Sequence, residues 1–109
     1  MALQMLGSVA LSVALSAAAA ESFPVPVALW DRPRSGQIVL ELAAVKQAVD
    51  AYLAAPDVRL IIHHPPGQAS LLEAEELRAW LVALSISPDR VGLKNDLARG
   101  DALTLEVVR

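Results

Sequence analysis

Apolar and polar positions along the chain sort into short alternating runs and two helical stripes. The run Phe23 to Trp30, FPVPVALW, is rich in valine and predicts a strand with Val25, Val27 and Leu29 on one face and Trp30 on the other. Pro24 and Pro26 restrict that strand to an edge or to its first residues. After the breaker-rich DRPRSG, Ile38, Leu42, Val45, Val49 and Tyr52 recur at spacings of 4, 3, 4 and 3 and predict one amphipathic helix ended by Pro56. Val58 to His64 predicts a second strand, its apolar centre that of an interior strand. Ala74, Leu77, Leu81 and Leu84 form the stripe of a second helix, with Trp80 at its margin. Ser70 and Glu73 have the spacing of a capping box at its start. Pro88 bars continuation beyond SIS. VGLKND predicts a short strand, LARGD a turn, and ALTLEVVR a last strand with Leu103, Leu105 and Val107 on its apolar face.

The order is therefore β-α-β-α-β-β, and the fold class it implies is α/β (α+β): a two-layer sandwich with a mixed sheet and two helices on one face. Helices between the first three strands require right-handed crossovers and a common strand direction. LARGD is short enough for a hairpin, so the last strand is expected to lie antiparallel beside the third.

Charge distribution divides the chain. Mean hydropathy is +0.47, but Met1 to Ala20 holds none of the twelve acids or nine bases. Its apolar Leu6 to Leu15 stretch, followed by Ala18 and Ala20 ahead of Glu21, reads as a secretory signal peptide. A retained anchor is the rival, but the run is heavy in alanine and serine and lacks a basic flank. Residues 21–109 are then expected to form a single exported domain, periplasmic or secreted, with no membrane span once the signal is cleaved. There is no cysteine, which excludes disulfides and thiolate metal sites. Net charge is −3 with interleaved signs, and no basic patch supports nucleic-acid binding.

Candidate chemistry is sparse. His63 and His64 are adjacent on a strand and point to opposite faces, so they do not chelate one ion together; His63 with Asp96 or Asp101 is the loose metal-site alternative. Pro65, Pro66 and Gly67 form either a rigid turn or a ligand-facing loop at the carboxyl end of a strand. Glu73, Glu75 and Glu76 match dipole compensation better than an acid–base cluster. Trp30, Arg32 and Arg34 carry residue types favoured at interfaces, suited to an acidic partner or a glycan. No catalytic constellation and no cofactor motif is present, and the expectation is a non-enzyme.

VPVALW, the helix ending AYLAAPDVRLIIHH, and the later ISPDRV together resemble the OmpA-like C-terminal domain family. Pro56, Val58, Leu60 and Ile62 fit that family's second strand, and His63 takes the place of its histidine. Ala74, Leu77, Trp80 and Leu81 fit the second helix. Ser85, Ile86, Asp89, Arg90 and Val91 fit the exit motif G-I-x-x-x-R-[IV]. The resemblance covers most of residues 25–93. It implies an envelope protein that binds peptidoglycan or another envelope protein, with an Asp and an Arg gripping the amine and carboxylate of diaminopimelate. Those two residues do not carry over. The aspartate falls at Pro65, and the arginine falls at Glu73 when the helix exit is aligned without gaps. Arg78 also sits in an R-A pair, but choosing it costs the ungapped match. The expectation is an interaction module without the usual ligand pair. The alternative is residual peptidoglycan binding through Arg32, Arg34 or Arg78, and a metal protein or small enzyme using His63 is a further one.

Overall fold

The computed structural model describes residues 20–109; apart from Ala20, the segment read as a signal peptide lies outside the described residues. Four strands, β1 (Ala20–Pro24), β2 (Arg59–His64), β3 (Val91–Asn95) and β4 (Thr104–Val108), form one mixed sheet in the order β1-β4-β2-β3. β4 runs antiparallel to both β1 and β2, and β2 runs parallel to β3, so β1, β2 and β3 share a direction as expected. Helices α1 (Gly36–Leu40), α2 (Ala43–Ala54) and α3 (Gln68–Ala83) complete the fold, with α2 against β1 and β4 and α3 against β2 and β3. The α/β sandwich is thus formed, with three helices rather than two.

Side-chain alternation explains the layers. Leu60 and Ile62 of β2 stand opposite Val107 and Leu105 of β4, and all four are fully buried beneath the helices. Truncating one such side chain to alanine costs about 2–5 kcal/mol in comparable cores. Val39, Val45, Ala48, Ala74, Leu77 and Leu81 supply the helical side of the core. Ile61, His63, Lys94, Thr104 and Glu106 lie on the other sheet face, away from the helices of the described residues. No helix among the described residues is long and apolar enough to cross a membrane.

Four local expectations are corrected. Strand pairing of the first segment ends at Pro24, where β4 also begins at Thr104; only Val25 N–H extends it, to Leu103 O at 2.8 Å. Pro26 has no N–H to continue the ladder, and the chain winds into a 3-10 turn over Val27–Asp31. Val25 and Leu29 are therefore buried while Val27 is 61% exposed, against the predicted shared face.

The single helix expected from Gln37 is broken at Glu41 and Leu42, where Leu42 is extended (φ −67, ψ 134). The break turns Val39, which lies off the predicted stripe, fully into the core. Ser35 caps α1 by accepting from Ile38 N–H at 3.2 Å.

The capping box at Ser70 does not form. Gly67 adopts φ 111, a conformation open to glycine, and the helix starts directly after it at Gln68. Ser70 is thus already inside the first turn.

Finally, the last strand does not form a hairpin with β3. Residues 96–103 cross the end of β2, with Leu97 N–H on His64 O at 3.3 Å, and β4 inserts between β1 and β2. That position lets its backbone pair on both sides.

α3 ends in a Schellman motif: Ile86 N–H donates to Leu81 O and Ser85 N–H to Val82 O, both at 3.1 Å. Ser85 holds φ 91, the one positive φ among described non-glycine residues. An L side chain there is strained by about 1 kcal/mol. Ser85→Gly is expected to raise stability by about 0.5–1 kcal/mol, a rise in Tm of a few degrees (~4–8 °C per kcal/mol for a domain of this size), checked by thermal denaturation.

Candidate functional site

The segment from Val25 to Trp30, the turn at Pro65 with the start of α3, and residues 100–103 come together at one edge of the fold. Between them lies a crevice of about 130 Å³ lined by Trp30, Pro65, Ser70, Glu73 and Asp101 among others. Early entry into α3 at Gln68 is what turns Ser70 and Glu73 toward it. The volume falls below the ~300 Å³ at which small-molecule pockets begin, so it suits a single functional group rather than a cofactor. Its charged lining is acidic. Burial pushes the Glu73 carboxyl up, Arg34 partly offsets this, and Asp31 and Glu76 push it further up.

Arg34 does not serve the crevice with a free guanidinium. Its Nε donates to Glu76 Oε2 and its Nη2 to Glu76 Oε1 at 3.1 Å, a bidentate fork. Nη1 donates to Arg32 O at 2.9 Å, and the guanidinium carbon lies 5.2 Å from the Trp30 ring centroid. Trp80 Nε1 donates to the same Glu76 carboxylate at 3.0 Å. The hydrogen bond from Arg34 holds the Glu76 carboxyl below its usual range, against a smaller opposing effect of burial. Arg34 and Trp30 are brought together as the sequence suggested, but as a strut that pins the loop to α3. Arg32 is exposed. Arg78 lies apart from them and bonds Val91 O at 3.1 Å and Pro88 O at 2.8 Å, tying α3 to β3.

The histidines point to opposite faces, as strand geometry requires. His64 is buried on the helix side, and its Nδ1 donates to Pro65 O at 2.9 Å. His63 lies on the open face, its Nδ1 2.7 Å from Asp96 Oδ1 and its Nε2 2.7 Å from Glu106 Oε1. Ionised carboxylates only accept, so both bonds form together when both ring nitrogens carry protons, and the protonated ring then bridges β2, β4 and the residue after β3. Asp101 is not part of this group. A ring protonated at both nitrogens has no lone pair left for a metal. No group of three or more acids and histidines suited to a metal occurs among the described residues.

Comparison with family models, with curated proteins and with solved structures returned no match.

Two pairings were not legible in the sequence. Glu106 sits at a polar position of an alternating strand, and its pairing with His63 follows only from the position of β4 beside β2. Glu76 was legible as a charge on α3, but its arginine partner lies 42 residues away.

Partial burial pushes the His63 pKa down, but hydrogen bonds to Glu106 and Asp96 and their charges outweigh it, and the net shift is upward. The folded-state pKa thus lies above the ~6.5 of an unfolded histidine. The bridge is fully stabilising below that value and is lost as pH rises through the folded-state pKa. His63→Ala is expected to cost on the order of 1–2 kcal/mol near pH ~6, mostly from the sheltered Glu106 bond, and less in alkaline solution. Denaturant melts across pH and an NMR titration of the His63 ring check this; its midpoint is expected above about 6.5.

Proposed function

We propose that this chain is an exported protein of the cell envelope that works as a non-catalytic interaction module on an OmpA-like fold lacking the Asp/Arg ligand pair. The charge-free leader, the element order and the motif fits from Pro56 to Val91 support the family reading, while VPVALW, expected as the family's first strand, is a 3-10 turn. Ser85 adds to it: it stands where the exit motif carries glycine, and its φ of 91 gives that glycine a physical reason.

The observation that carries the functional reading is the crevice. Pro65 and Glu73, the positions aligned with the family's Asp and Arg, both line it. The charge pattern has changed: the aspartate position is neutral, the arginine position is acidic, and Asp101 adds a second acid. Such a crevice repels the carboxylate that the family's arginine would hold. Arg34 and Arg78 spend their donors on Glu76 and on backbone carbonyls, which speaks against their capture of a peptide stem. For the non-catalytic part, His63 has both ring nitrogens hydrogen-bonded, to Asp96 and Glu106, which speaks against its use as a general base.

Co-sedimentation with purified peptidoglycan tests this. The protein is expected to stay in the supernatant. Sedimentation that disappears in Arg32→Ala, Arg34→Ala or Arg78→Ala would overturn the reading in favour of retained cell-wall binding.

A further inference from the structure

β3 is an outer strand. It pairs with β2 on one side and with no strand of the described residues on the other. Half of the backbone groups of such a strand point away from its neighbour and remain available to an incoming chain. Arg78 covers the start of β3 by donating to Val91 O. From Gly92 to Asn95, no side chain of the described residues hydrogen-bonds to the backbone of β3.

Grooves flank this strand on both faces of the sheet. On the helix side, Leu71 and Leu93 line one groove with His64 and Asn95. On the open side, Arg59, Ile61, Gly92 and Lys94 line the other. Arg59 and Lys94 are exposed, and neither takes part in an ion pair among the described residues. A strand added beside β3 would send alternate side chains into the two grooves.

Gly92 is the telling residue. Its φ is not positive, and a Cβ built on it meets nothing within 4 Å. Neither backbone conformation nor internal packing calls for glycine there, although glycine weakens a strand. What its bare backbone does is keep the open-face groove clear between Ile61 and Lys94, as a glycine does where another backbone approaches. A lysine on a short edge strand guards against edge-to-edge pairing. Protection accounts for Lys94 but not for Gly92, nor for the groove holding Leu71 and Leu93 on the opposite face.

We propose that β3 receives an extended segment of a partner protein by strand addition. That segment alternates acidic residues, which meet Arg59 and Lys94 on the open face, with apolar residues, which lie against Leu71 and Leu93. This assigns the contact surface of the interaction module and rests on that reading.

The probe is a short synthetic peptide alternating glutamate and valine, titrated into the isotope-labelled protein and followed by amide chemical shifts. Saturable shifts are expected to centre on Gly92 to Asn95 and to extend to Arg59 and Leu71. A lysine–valine peptide is expected to bind about tenfold more weakly or worse. N-methylation of alternate peptide amides is expected to abolish binding in one of the two registers and not in the other, because only one set of amides faces β3. Gly92→Val is expected to melt at the same temperature or higher, yet to weaken the peptide about tenfold; Lys94→Glu, a surface change, is expected to weaken it similarly.

Shifts that are absent or centred on the Glu73 crevice, equal binding of the lysine–valine peptide, or undiminished affinity in Gly92→Val would overturn the proposal. So would a dimer in sedimentation equilibrium that Lys94→Glu dissociates, which would give the edge to a second copy. None of these outcomes makes the protein sediment with peptidoglycan, so failure here is distinct from failure of the functional reading.

Discussion

The antiparallel pairing of β4 with both β1 and β2 is the constraint on which the rest of this molecule depends. It seats Leu105 and Val107 at the centre of the core, opposite Ile62 and Leu60. It also joins the first and last described segments, which lie far apart in sequence. Such non-local pairing is costly in chain entropy before it is rewarded, so the sheet forms as a unit with the helices rather than from a local hairpin. Without that insertion, β2 would lose one of its two neighbours and Glu106 would not reach His63.

The same insertion sorts the surface into regions of different character. Its open face carries polar groups knitted by the His63 bridge. The strut of Trp30, Arg34, Glu76 and Trp80 ties up the arginine whose charge acts on Glu73 of the acidic crevice. By taking the central place, β4 leaves β3 on the outside, where its edge and its glycine face solvent. Stability is thus concentrated where strands pair on both sides, and accessible backbone is concentrated on β3.

Local rules gave way wherever a neighbour distant in sequence offered more. Val27 alternates correctly for a strand, yet β4 offers no partner beyond Thr104, and the missing N–H of Pro26 ends the ladder. Ser70 and Glu73 match a capping box, yet Gly67 turns the chain into the helix three residues too early for it. Ser85 shows the reverse: local backbone strain is accepted because Ile86 gains a fully packed place beneath the end of α3.

Hydrophobic periodicity by itself determined the strands at Arg59–His64, Val91–Asn95 and Thr104–Val108, the second helix, the common direction of the first three strands and the opposite outlook of His63 and His64. These follow from side-chain spacing and chain connectivity, which are properties of neighbours along the chain. Tertiary structure alone decided the place of β4, the break at Leu42, the Arg34–Glu76 strut and the carboxylates that clasp His63. Each of these is a contact between residues tens of positions apart, and its energy depends on a register that no local pattern records. The outermost place of β3, and the use of Gly92, are consequences of that register.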